Sequence, residues 1–215
     1  MLLLAFDTAT PAVTVALHDG QRVLAETSTV DARRHGELLA PSIAKVLSGY
    51  EPRDLTGIVV GVGPGPFTGL RVGVVTARVF GRTLGIPVHG VVTLDALARA
   101  AVDARATGQD FLAVTDARRK ELYWARYSAT GERLDGPAVS RPDDLPSGLP
   151  IAGQAVSLYP GLGESIWPEH PSAAVLATVA AERLAGGGAG LLPPEPLYLR
   201  RPDAQIPGPP KRVTS

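Results

Sequence analysis

FLAVTD, residues 111–116, runs an apolar stretch into a terminal aspartate, and LLLAFD at residues 2–7 does the same. Both have the length and composition of a buried strand. The segments beyond the two aspartates also match. After Asp7, AVTVAL (12–17) alternates like a half-buried strand, Asp19-Gly20 supplies a turn, and RVLAETST (22–29) extends again. After Asp116, ELYWARYS (121–128) alternates, Ala129-Thr130-Gly131 turns, and ERLDG (132–136) resumes an extended strand. Strand, aspartate, strand, turn and strand recur in order, which is the pattern of a duplicated β-β-β-α unit. The chain is read as α/β, with two lobes and no independent domain boundary between them.

Around this repeat, HGELLAPSIAKVLSG (35–49) reads as a helix with Leu39, Ile43, Val46 and Leu47 on one face. Pro41 sits in its first turn or kinks it. GIVVGVG (57–63) is another buried strand. Residues 135–150 read as loop, GLPIAGQAV (148–156) as a short strand running into a turn, and AAVLATVAAERLA (173–185) as a helix stopped by Gly186-Gly187-Gly188. The expected division is a first lobe over 1–105, a second over 106–192, and a proline-rich tail over 193–215, extended or disordered.

Composition narrows the function classes. A chain of 215 residues can bury roughly 70% of its unfolded surface, so its core needs no cross-links. There is no cysteine, which excludes disulfides and zinc–thiolate sites. Acidic and basic residues balance at 21 each, without the basic excess expected of a protein that grips nucleic acid alone. MLLLAFDTAT lacks a basic n-region and reaches Asp7 within one strand length, so it is read as neither a signal peptide nor a membrane span. A cytoplasmic protein with no membrane association is the expectation.

GVGPGPFTGLRVGVVTAR (61–78) tests for a phosphate loop and fails. A P-loop ends on lysine and a hydroxyl residue, whereas Leu70 and Arg71 follow Gly69. Gly63, Gly65 and Gly69 are one residue too widely spaced for a dinucleotide fingerprint, and Pro64 and Pro66 remove two backbone donors. As a helix start it reads better: Thr68 is the expected N-cap, and the helix runs to the stop at Gly85-Ile86-Pro87. Gly65, Gly69, Gly73, Ala77, Gly81 and Gly85 recur at every fourth position. Such a step drifts only ~40° around a helix, giving one ridge nearly bare of side chains. A helical glycine costs roughly 1 kcal/mol against alanine, so something must approach that ridge closely. Sequence physics favours the chain's own sheet over a partner's helix. Arg71, Arg78 and Arg82 fall on another face, suited to carboxylates, a partner or a phosphate backbone, or simply to solvent.

FDTATPAVTVAL (6–17), RRHGELLAPSI (33–43), the segment 60–88 and VTDARRKELYWARY (114–127) together resemble the TsaB (YeaZ) family, with PEPLYLR (194–200) as a last familiar phrase. The resemblance implies the actin-like ATPase (ASKHA) fold: two ribonuclease-H-like lobes with mixed β-sheets flanked by helices. It implies a non-catalytic partner of the TsaD transferase, which makes threonylcarbamoyladenosine beside the anticodon of tRNAs reading ANN codons. A TsaE-like ATPase is a further implied partner, tRNA is met only through the complex, and a homodimer in isolation is left open. In the superfamily the aspartates ending the first strand of each lobe face ATP phosphates and their metal; here these are Asp7 and Asp116, with Thr8 and Thr10 beside the first. Neither is followed by the glycine of an active phosphate loop, so at most weak ATP or ADP binding is expected. TsaD's metal-binding histidine pair falls on Thr93 and Leu97, so no metal is expected. The implied contact is a four-helix packing by residues 36–48 and 68–84. It puts a partner's helix on an equal footing at the glycine ridge, with His35, Leu39, Gly69, Arg71, Gly73 and Ala77 as interface residues. An active kinase or transferase of the same fold is the alternative. A peptidase is disfavoured by the lack of a metal pair, a cysteine or a Ser-His-Asp arrangement.

Overall fold

Strand β1 (Leu3–Asp7) is buried on both faces, which is why it reads as an unbroken apolar run. It pairs antiparallel with β2 (Ala12–His18), and β2 with β3 (Val23–Val30). On its other side β1 pairs parallel with β4 (Gly57–Gly61), which pairs parallel with β5 (Val88–Val91). The computed structural model, which describes residues 1–200, thus gives a first sheet of order β3-β2-β1-β4-β5.

The second sheet repeats this plan. Strands β6 (Phe111–Asp116), β7 (Leu122–Tyr127) and β8 (Arg133–Ser140) form the antiparallel part. The short β9 (Ile151–Ala152) and β10 (Ser165–Ile166) add the parallel part, for an order β10-β9-β6-β7-β8. The expected duplication is therefore present strand for strand. Strand β8 also occupies part of the span read as loop. Its Gly136-Pro137 sits where the pairing with β7 shifts register, so a proline without an N–H is accommodated beside a bulge.

Helices α1 (His35–Val46) and α2 (Phe67–Leu84) cover one face of the first sheet, packing Leu39, Ile43, Leu70, Val74 and Ala77 on Leu4, Phe6, Val13 and Val15. Pro41 lies inside α1 on its exposed side. Helix α2 ends as expected, with Gly85 at φ 67°, but Thr68 is not its N-cap. Pro66 takes that place with extended backbone, and its carbonyl accepts from the Leu70 N–H. Proline's fixed φ suits the entry to a helix, so Thr68 is carried into the first turn.

Among the elements that escape the sequence reading are β5 and helix α3 (Thr93–Asp103), whose Leu94, Leu97, Ala98 and Ala101 pack on Phe111, Ala113 and Tyr127 of the second sheet. Beyond α4 (Ala155–Leu158), helix α5 (Ala173–Ala185) returns to the first sheet, against Leu3, Ala5, Ala16 and Val59. The helices are thus exchanged: α3, from the segment read as the first lobe, covers the second sheet, and α5 does the reverse. A cut at residue 105 divides the strands but not the helices. The side chains of Arg99 in α3 and Glu182 in α5 join the exchanged pair by a two-point ion pair.

From Leu192 to Arg200 the chain is irregular yet anchored. Leu192 bridges to Gly90, the Leu197 N–H donates to the Val62 carbonyl at 2.8 Å, and Arg200 reaches Ala117 and Glu121 in the second lobe. The rest of the proline-rich tail lies outside the described residues.

Candidate functional site: the cleft between the lobes and the outer face of α2

The aspartates ending β1 and β6 make the same local turn. Asp7 Oδ1 accepts from the Ala9 N–H at 2.6 Å, and Asp116 Oδ1 accepts from the Arg118 N–H at 2.9 Å. The segments beyond them meet at one cavity of about 260 Å³, lined by Thr8, Thr10, His35, Thr68 and Gly69 from the first lobe and Arg118 from the second. The strand ends of the two repeats therefore face a common cleft.

Asp7 itself does not reach it. The carboxyl is fully buried, and its Oδ2 accepts from the Thr93 hydroxyl at 2.7 Å. Thr93 in turn accepts from the Gly63 N–H at 3.2 Å, so the group is tied to the loop after β4. A β-carbon on Gly61 would collide with the carboxylate, which accounts for glycine there. Burial pushes the Asp7 pKa up, against the opposing pull of the Thr93 and Ala9 hydrogen bonds and the charge of His35. The expected phosphate-facing role thus gives way to a sealed one. Thr93, where the resemblance puts a metal-binding histidine, closes the seal, and Leu97 is buried in the second core. Among the described residues no three histidine, aspartate or glutamate side chains converge as an ion would need.

Asp116 is more open, its side chain 11% exposed, but it is engaged by the Arg118 guanidinium at 3.4 Å and by the Tyr159 hydroxyl, which donates at 3.3 Å. Tyr159 is pushed above its ordinary range by burial and by that carboxylate.

Thr8 explains the glycine ridge. Its hydroxyl donates to the Gly69 carbonyl at 2.7 Å and accepts from the Gly73 N–H at 3.0 Å, so it is inserted beside one turn of α2. A β-carbon at Gly69 would lie 2.6 Å from the Thr8 carbonyl oxygen, and one at Gly73 2.6 Å from the Thr8 hydroxyl. At Gly81 it would collide with Val88. Gly69, Gly73 and Ala77 are buried against the chain's own sheet, and Leu39 is a core residue. These four cannot form a partner surface, which corrects the interface expectation. Thr10 is buried too, but its carbonyl accepts from the His35 ring at 2.8 Å, anchoring the start of α1.

Of the expected interface residues, Arg71 is exposed; its guanidinium lies 3.7 Å from the Phe67 ring centroid and donates to the Tyr198 hydroxyl at 2.9 Å. The ring of Tyr198 stacks on Phe67. Further along α2 the outward face shows Val75 and Val79, 57% and 56% exposed, between Arg71, Arg78 and Arg82. Val75 lies about 200° around the helix from Gly73. The two valines, one turn apart on α2, are the mark this face leaves in the sequence.

Comparison with known proteins places this geometry in a family. Residues 22–158 match the family model described as TsaD, tRNA N6-adenosine threonylcarbamoyltransferase. An uncharacterized protein of Mycobacterium tuberculosis is 46% identical over 94% of this chain and 93% of its own length. The tRNA threonylcarbamoyladenosine biosynthesis protein TsaB of Escherichia coli is 30% identical over 79% of this chain and 74% of its own length. The solved structure of YeaZ from Pseudomonas aeruginosa superposes with a TM-score of 0.77 at 27% identity, covering 92% of this chain and 99% of that one. The two lobes read from the repeat, in the actin-like arrangement that the resemblance implies, therefore share the fold of a solved relative. Carried by both a shared model and a named relative, the chain belongs to the TsaB (YeaZ) family of tRNA threonylcarbamoyladenosine biosynthesis proteins.

Proposed function

We propose that this chain is a non-catalytic accessory subunit: it docks on a TsaD-like transferase and holds it competent to form threonylcarbamoyladenosine beside the anticodon of tRNAs reading ANN codons. The observation that carries this reading is the sealing of Asp7 by Thr93. A group facing phosphate or metal must be open to them, and this one is closed by its own fold. Chemistry is then left to the partner, with ATP or ADP binding here weak at most.

The docking surface of this reading is the outer face of α2. Val75 and Val79 offer apolar area to a facing helix, and Arg71, Arg78 and Arg82 offer charge at its rim. A second copy of the chain would use the same face in isolation, so homodimer and heterodimer exclude one another. A TsaE-like ATPase joins the assembled pair. No described helix is long and apolar enough to cross a membrane.

The test is reconstitution of tRNA modification from purified components, including a TsaD-like transferase and a TsaE-like ATPase, with and without this chain. Product should form only when this chain is added. Full activity without it, or turnover by this chain alone, would overturn the proposal.

A further inference from the structure

The repeat allows an internal comparison at the cleft. After β1 the turn is Thr8-Ala9-Thr10-Pro11, uncharged and largely buried. After β6 the corresponding turn carries Arg118-Arg119-Lys120, all three exposed. These three have φ of 64°, 56° and 59°, a run of left-handed conformations in residues other than glycine. The left-handed region is unfavourable for residues with a β-carbon, and strain of this kind collects at functional sites. Glycine would relieve it, yet each position holds a cation.

Across the cavity, the loop before α1 adds a further basic group. Arg33 and Arg118 line the same cavity, and no carboxylate lines it. Of the acids nearby in sequence, Asp31 is engaged by Arg34 at 2.8 Å, Asp116 by Arg118 and Glu121 by Arg200, while Glu37, in the first turn of α1, is exposed and does not line the cavity. Neither Arg33 nor Lys120 has an ion-pair partner among the described residues. In a chain whose charges balance overall, this mouth is locally cationic from both lobes.

We infer that the cleft mouth, with Arg33 on one lobe and the Arg118–Lys120 turn on the other, is a contact surface for the phosphate backbone of RNA. The choice of RNA rests on the proposed function; the cationic mouth does not. Separated cations on two lobes suit a polymer with repeating negative charge, and the contact positions the RNA without reading its bases.

Affinity of the full chain, alone and mixed with a TsaD-like transferase, for an unmodified transcript of a tRNA reading an ANN codon is measured from 50 to 200 mM salt. A lost phosphate contact lowers the slope of log affinity against log salt by about one. Arg33→Gln and Lys120→Gln should each do so, and the double variant should lower it by about two. Arg22→Gln, at an exposed arginine beside the turn of the β2–β3 hairpin and so at the opposite end of β3 from the mouth, should leave it unchanged. Lys120→Gly should weaken RNA binding equally while melting no lower than the parent, since glycine adopts that backbone freely. Unchanged slopes in both settings, an equal loss in Arg22→Gln, or no RNA binding by chain or mixture at 50 mM salt would overturn the inference. So would loss of transferase capture by the mouth variants with RNA binding intact, which would make the mouth a protein contact. Transferase capture by the parent chain is read separately, so a failed partnership is distinguished from a failed RNA contact.

Discussion

Thr8 and Asp7 sit side by side at the end of β1, and both are spent on holding the fold. The Thr8 hydroxyl bridges the Gly69 carbonyl and the Gly73 N–H, so Thr8→Val leaves a buried notch with its polar lining unmet. The expected cost is about 1–3 kcal/mol, restored largely by Thr8→Ser, and chemical denaturation of the three proteins measures it. Asp7 makes the opposite prediction. Its folded pKa lies above the unfolded value, so the native state binds the extra proton, and stability falls as pH rises from the unfolded pKa through the folded one. Asp7→Asn keeps an acceptor for Ala9 while removing that ionisation, and its amide nitrogen would donate to the Thr93 oxygen as a protonated carboxyl does. The variant should melt no lower than the parent at pH 7.5, and any advantage should shrink as pH falls toward 4. A variant that unfolds at pH 7.5 would show that the charged form is required. None of this was legible from the sequence. The repeat located Asp7 at a strand end, but its partner Thr93 is 86 residues away and comes alongside only through the β5–α3 crossover.

Among the elements, α2 was legible in extent, while its glycine ridge was left between the chain's own sheet, which the residues favoured, and a partner's helix, which the resemblance added. Glycines at every fourth position do mark a close approach, but the close neighbours are Thr8 and Val88 rather than another chain. Periodicity shows that a ridge is bare, not what lies against it. Gly73→Leu should therefore clash in the core, costing about 1–3 kcal/mol, with Tm falling by roughly 2–4 °C per kcal/mol in a chain of this size. A melting temperature unchanged in Gly73→Leu would reopen the ridge as an outer surface. Element α3 was missed although Leu94, Leu97, Ala98 and Ala101 follow a helical period. Strand β5 was harder, being four residues with only Gly90 and Val91 buried.

For the whole molecule, the duplication was the most readable feature, because burial on both faces forces β1 and β6 to be apolar and the shared turn forces the same aspartate to end each. The exchange of α3 and α5 between sheets was not readable, since either helix would satisfy either apolar face. That exchange joins the lobes through Arg99 and Glu182, the anchored segment 192–200 ties them again, and the outer face of α2 stays exposed, which is where the proposed function puts the partner. The most direct test of that account is Val79→Asp, read for both melting and capture of a purified TsaD-like transferase. At a side chain more than half exposed, the substitution should change stability by no more than about 0.5 kcal/mol. A charge at the centre of a helix–helix contact should nevertheless lower transferase affinity at least tenfold, and tRNA modification should fall in proportion. Normal melting with transferase affinity and modification intact would contradict the account.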